Sequence, residues 1–68
     1  MTKISIKTEY ITLAQFLKLS NIIQSGGEAK FFINNNNIYV NGEIEKRKGK
    51  KLYKNDHIEL RNEDYVIC

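Results

Sequence analysis

Lys3-Ile4-Ser5-Ile6-Lys7 alternates polar and apolar side chains, which puts Ile4 and Ile6 on one face and predicts a short, half-buried first strand. The period then changes. Leu13, Phe16 and Leu17 fall at i, i+3 and i+4, the apolar stripe of a helix. Thr12-Leu13-Ala14-Gln15 has the form of a capping box, the Thr12 hydroxyl accepting the Gln15 N–H while the Gln15 side chain reaches back. Ile11 and Phe16 fit the hydrophobic staple that fixes the entry of such a helix. The helix is expected to stop near Ser20 or Asn21, with Ile22 and Ile23 as core contacts in the connection and Lys18 off the stripe. A second box, Ser25-Gly26-Gly27-Glu28, starts another helix at Gly26 with Ala29, Phe32 and Ile33 as its stripe. Two glycines in a first turn weaken a helix, by up to about 1 kcal/mol each. They suggest backbone that closely approaches either the first helix or a phosphate, although Glu28 counts against the phosphate.

The second half of the chain reads as sheet. Asn34 to Asn37 is too polar to extend the stripe, and asparagine tolerates the left-handed conformation that ends helices. Ile38-Tyr39-Val40, Asn41-Gly42 and Glu43-Ile44-Glu45 form the strongest hairpin signal. A two-residue turn would set Glu43 and Glu45 on the face of Ile38 and Val40. A three-residue turn pairs Val40 with Ile44 and keeps that face apolar, so it is the expected register, with both glutamates on the hairpin surface. Leu52 and Tyr53 return to the core, Lys54-Asn55-Asp56 turns, and His57 to Arg61 alternates as a strand. Asn62-Glu63-Asp64 turns again before a last strand, Tyr65-Val66-Ile67. The order predicts an α+β fold: two short packed helices against a small, mostly antiparallel sheet, one domain over residues 1–68.

Charge changes this picture at one place. The chain has 11 Lys+Arg and 8 Asp+Glu, a net of +3. Five of the cations are Lys46, Arg47, Lys48, Lys50 and Lys51, and without them 6 basic and 8 acidic residues leave a net of −2. Gly49 marks a bend, so the run is expected to be an exposed loop. Cations crowded together repel one another, and a polyanion such as a phosphate backbone offsets that repulsion. A loop that serves only solubility is the bland alternative, and short basic runs fit both.

At 68 residues, folding buries only roughly 60% of the unfolded chain's surface, which suits a module presenting a surface better than an enzyme with an enclosed site. There is no phosphate-loop glycine motif, and no Ser/His/Asp set is recognisable around the one histidine. His57 has no companion at ligand spacing, so it reads as an exposed strand residue and not a metal ligand. Cys68 is the only cysteine, so no internal disulfide can form. No secretory signal or membrane-spanning stretch is evident, and a cytoplasmic location is expected.

Several motifs together resemble the S4-type RNA-binding domain, the αL module, over about Ile11 to Leu60. Ile38-Tyr39-Val40-Asn41-Gly42 is similar to the family's Val-x-Val-Asn-Gly, and Asn55-Asp56-His57-Ile58 follows in place of Gly-Asp-x-Ile. Ser25, Glu28 and Ala29 match Ser-Arg-Ser-Glu-Ala, and Leu13, Phe16 and Leu17 match the first-helix Leu-Asp-x-x-Leu pattern. The Thr8-Glu9-Tyr10-Ile11-Thr12-Leu13 opening and the basic run look closest to the small stand-alone members of the YaaA and YbcJ type. Thr12 and Gly26 stand where the family usually carries arginine, and Ala14 where it carries aspartate. The usual helix-face contacts are therefore reduced, and in this subgroup the cations lie after the hairpin instead.

The resemblance implies binding to a structured RNA, ribosomal or transfer RNA in type, without catalysis, cofactor, membrane or small-molecule substrate. It makes Lys46, Arg47, Lys48, Lys50 and Lys51 the main contacts. Lys30, Lys18, Ser25, Gly26 and Gly27 would line the helix side, and Asn41 and Gly42 would contribute from a turn that is first of all structural. Tyr39, Tyr10 and Tyr53 are candidates for stacking on a base, but tyrosines in small cores often serve packing alone. The competing reading is a protein-interaction module whose basic loop docks an acidic patch on a ribosome-, replication- or repair-associated partner.

Overall fold

Thr12 sits in extended backbone (φ −85°, ψ 162°) and closes the expected capping box around the first helix, α1 (Leu13–Leu19). Its Oγ1 accepts the Gln15 N–H at 3.2 Å, and its own N–H donates to Gln15 Oε1 at 2.8 Å. Two more first-turn N–H groups are used from outside the helix: Leu13 donates to the Lys50 carbonyl (2.8 Å) and Ala14 to that of Lys48 (3.0 Å). The helix stops where the sequence indicated. Ser20 Oγ returns to the Phe16 carbonyl (2.7 Å) and Asn21 takes the left-handed conformation at φ 61°. The computed structural model describes every residue from Met1 to Cys68.

The second helix begins differently from the expectation. Gly26–Glu28 is a 3-10 turn, and the α-helix proper, α2, covers Ala29–Asn35. The Glu28 carboxylate receives the N–H groups of Gln24 and Ser25, each at 3.0 Å. A Cβ built on Gly26 meets nothing within 4 Å, and one on Gly27 only Ser25 Oγ at 3.9 Å. Close approach to α1 therefore does not explain these glycines. The end of α2 also departs from the prediction, because none of Asn34 to Asn37 has a positive φ. Asn36 is extended (φ −141°), and the amides of Asn35 and Asn36 donate to the carbonyls of Phe31 (2.8 Å) and Phe32 (2.9 Å).

The hairpin of β3 (Tyr39–Val40) and β4 (Glu43–Ile44) pairs Tyr39 with Ile44 and Val40 with Glu43, so the turn has two residues and not three. Asn41 (φ 52°) and Gly42 (φ 86°) are both left-handed, the turn whose twist matches that of the strands it joins. Turn geometry thus overrides facial consistency. Ile44 is left exposed, and Glu45 becomes the one buried charged residue.

Five strands form one sheet in the order β1-β7-β6-β3-β4, where β1 is Thr2–Ile4, β6 His57–Leu60 and β7 Glu63–Ile67. All neighbours are antiparallel except β1 and β7. The first strand is shorter than predicted, yet its ladder continues through Cys68 N–H to the Ile4 carbonyl and Ile6 N–H to that of Cys68, each 2.9 Å. The turn between β6 and β7 is Arg61-Asn62, earlier than expected, with both residues left-handed (φ 52° and 63°). For arginine that conformation costs on the order of 1 kcal/mol. A separate antiparallel pair joins β2 (Tyr10–Thr12) to β5 (Lys51–Tyr53).

Sixteen buried apolar residues form one core. Leu13, Phe16 and Leu17 of α1 and Ala29, Phe32 and Ile33 of α2 cover the sheet face that carries Ile38, Val40, Ile58, Leu60, Tyr65 and Ile67. Phe16 meets Tyr65 edge-on at 5.2 Å between centroids, a favoured aromatic geometry. Leu52 is fully buried, whereas Tyr53, expected in the core, faces outward with 44% exposure. The result is the predicted α+β arrangement. No helix is long and apolar enough to cross a membrane.

Candidate functional site

The basic run occupies the connection from β4 to β5, and its backbone is fixed from the inside. Arg47 to Lys50 form a turn closed by Lys50 N–H to the Arg47 carbonyl (3.2 Å). The carbonyls of Lys48 and Lys50 are those that cap the first turn of α1. With these carbonyls committed to the helix, the backbone at Lys48 and Lys50 is held without help from those two side chains. The same bonds occupy the start of α1, so Leu13 and Ala14 have no N–H left for an external anion.

The five cations are not equivalent. Lys46 Nζ donates to the carbonyls of Ile33 and Asn36, each at 3.2 Å, and thereby caps the end of α2. Arg47 Nε and Nη2 grip Glu45 at 2.9 and 3.2 Å, and the Arg47 N–H also donates to the Glu45 carboxylate at 3.0 Å. These bonds hold the Glu45 carboxyl down to about 2, against an opposing push from burial, with smaller help from the nearby Lys50 charge. The same contacts raise Arg47. The Glu45 side chain is 11% exposed and the Arg47 side chain 74%. One edge of Arg47 is therefore spent on Glu45, and its remaining N–H groups and flat face point to solvent.

Lys51 Nζ lies 4.9 Å from the Tyr10 ring centroid, and Tyr10 packs at 5.7 Å against Tyr53 across the β2–β5 pair. Lys48 and Lys50 have neither a hydrogen bond nor an ion pair at their ammonium groups. Arg47, Gly49, Lys50, Lys51 and Tyr53 surround an open cleft of about 520 Å³. It contains three cations, one aromatic ring and no carboxylate.

The remaining predicted residues do not converge on this cleft. Lys18 is exposed in the last turn of α1 and Lys30 at the start of α2, whereas the basic loop touches the first turn of α1 and the end of α2. Ser25, Gly26 and Gly27 lead into α2 and so lie with Lys30. Asn41 is bound within the sheet, its amide donating to Asp56 Oδ1 (3.1 Å) and its Oδ1 accepting the His57 N–H (2.9 Å). Gly42 completes that turn. His57 is exposed, and no cluster of three metal-ligating side chains exists.

The sequence reading missed Glu45, which it placed on the hairpin surface. The two-residue turn rotates Glu45 inward, and Arg47 satisfies it there. An acidic residue two positions before an arginine, at the edge of a basic run, was the available signal. The family pattern described as S4 domain matches residues 4–68. The probable ribosome maturation protein RlbA of Bacillus subtilis (strain 168) is 54% identical over 57 residues, which span 84% of this chain and 80% of that protein.

Proposed function

This chain belongs to the S4-domain family, and from that premise we propose that it is a non-catalytic module, a single domain over residues 1–68, that binds a folded RNA in the cytoplasm. The observation that carries the reading is the basic loop: its backbone is anchored on α1, and the ammonium groups of Lys48 and Lys50 are left without partners. Lys50, Lys51 and the outward part of Arg47 line the cleft, and Lys48 belongs to the same turn outside it. Cations on a backbone fixed in this way suit phosphates whose spacing is set by the fold of the RNA, because little loop ordering remains to be lost on binding. The name of the Bacillus relative favours ribosomal RNA, at a stage of ribosome maturation. Lys18, Lys30 and the Ser25 to Gly27 segment provide a second, weaker contact line at the opposite ends of the helices. Asn41 and Gly42 act through the shape of their turn, and Lys46 acts mainly by holding the loop to α2.

The test is a titration of the wild type and a Lys48→Ser, Lys50→Ser, Lys51→Ser variant against structured RNA, single-stranded RNA and duplex DNA at several salt concentrations. Lys46 and Arg47 are kept because they hold structure. Each phosphate contact contributes roughly 0.7 to 0.9 to the slope of log affinity against log salt. The triple variant should lose about 2 to 3 from that slope and remain folded. Unchanged affinity for structured RNA in the folded variant would defeat the proposal. If no nucleic acid binds while a nuclease-treated pulldown still retains a protein, the loop serves an acidic protein partner.

A further inference from the structure

A second cleft, of about 370 Å³, opens between the end of α2 and the β6–β7 turn. Its chemistry differs from that of the basic cleft. Asn35, Asn36 and Asn37 line one side, and Arg61 and Asn62 the other. The half-buried Tyr39 and the carboxylate of Glu59 complete it. One cation and one anion leave it formally neutral, and amide groups dominate its lining. The Asn35 and Asn36 amides each give one N–H to α2 carbonyls, which leaves their second N–H and their oxygens free. Arg61 lies against the Phe32 ring at 4.8 Å, so its guanidinium is held in place as part of the wall. The left-handed backbone at Arg61 is the strained point of the fold, and it carries the turn that presents Arg61 and Asn62 to the cleft.

Phosphate is a poor fit for a site with a carboxylate and a single preoccupied arginine. A neutral, flat group with both donors and acceptors on its edge is a good one. The volume lies within the roughly 300–1,000 Å³ usual for small-molecule sites. The cleft is also physically joined to the basic loop, because the Asn36 carbonyl is one of the two that receive Lys46 Nζ. We propose that this asparagine-lined cleft takes one unpaired nucleobase of the same RNA whose phosphates meet the basic loop, the amides reading its edge beside the Tyr39 ring. The inference rests on the RNA-binding reading above and adds to it a requirement for a bulged or looped-out nucleotide.

The experiment compares a fully paired RNA stem-loop with the same stem carrying one bulged nucleotide, each of the four bases in turn. The proteins are the wild type and an Asn37→Ala, Asn62→Gly variant; glycine keeps the left-handed turn while deleting the amide. For the wild type, at least one bulged RNA should bind about tenfold tighter than the paired stem, the scale of one base held on an aromatic surface. The variant should lose that preference and keep the affinity and salt slope of the paired stem. A nucleoside monophosphate with the preferred base, titrated into 15N-labelled protein, should shift the side-chain amide signals of Asn37 and Asn62. Equal binding of paired and bulged stems by the wild type, with binding still dependent on Lys48, Lys50 and Lys51, overturns this inference alone. Absence of all RNA binding overturns the RNA reading and this inference with it.

Discussion

Replacing Glu45 with glutamine separates two roles of the Glu45–Arg47 pair, because Gln keeps one acceptor oxygen for the Arg47 N–H groups and removes the charge with the second acceptor. Arg47 is 74% exposed, so the ion pair is worth about 0.5 to 1 kcal/mol and not the several a dry pair would carry. For a domain of this size that corresponds to a fall in Tm of roughly 2 to 8 °C. The Glu45 carboxyl is held below its ordinary range, to about 2. Its contribution is therefore fully present above the unfolded carboxylate pKa and is lost as pH falls through the folded one. Wild type and Glu45→Gln should differ by a constant amount above about pH 5 and converge as pH approaches 2. For RNA the sign reverses. Loss of the anion loosens the hold on the Arg47 edge and raises the net charge from +3 to +4, removing a repulsion on the order of 1 kcal/mol at phosphate distance, or about fivefold in affinity. The salt slope should steepen by roughly 0.7 to 0.9. Thermal unfolding across pH and RNA titration across salt measure both sides. A variant that loses stability yet binds RNA with unchanged affinity and slope would refute the idea that Glu45 withholds Arg47 from phosphate.

Lys46→Met keeps the aliphatic stem and removes the donors to Ile33 and Asn36; chemical denaturation should show a loss of about 1 to 2 kcal/mol, with little change in the salt slope of RNA binding. Asn41→Ala replaces a residue that tolerates left-handed backbone with one that does so less readily, and strands Asp56 and the His57 N–H, for an expected cost of about 2 kcal/mol in the same measurement. Gly26→Ala and Gly27→Ala should leave stability unchanged or raise it by up to about 1 kcal/mol, since neither added Cβ meets a close neighbour. If those two variants nonetheless bind RNA several-fold more weakly, the glycines are there for the ligand; if binding is also unchanged, they have no part in it.

Local chemistry was readable where one signal acted alone. The Thr12 capping box and the 3.6-residue stripes placed both helices and six core residues without tertiary information. Prediction failed where two local signals conflicted. At Asn41-Gly42 facial alternation argued for a three-residue turn and backbone twist for a two-residue one; twist won because Arg47 could satisfy the inward Glu45. The Arg61-Asn62 turn carried no glycine and only Asn62 marked left-handed backbone, so nothing in the chain placed Arg61 in the turn. The basic run was visible at once, but its division into Lys46 and Arg47, which hold structure, and Lys48, Lys50 and Lys51, whose ammonium groups have no hydrogen-bond or ion-pair partner, depends on where α2 ends. Pairing across thirteen residues between Lys46 and Ile33 leaves no trace in a local pattern.

The parallel pairing of β1 with β7 bears on the order in which this protein forms as it is synthesised. Thr2 finds its partner only at Tyr65, so the first strand made must wait, unpaired, for the last, and contacts so distant in sequence form slowly. The contacts that hold the basic loop draw on residues no later than Tyr53. On a nascent chain, those residues have all emerged before the final strand exists. The element proposed to meet RNA therefore does not depend on the strand pair that closes the fold, and hydrogen exchange at the Ile6 and Cys68 amides should report opening that leaves the Leu13 and Ala14 amides protected.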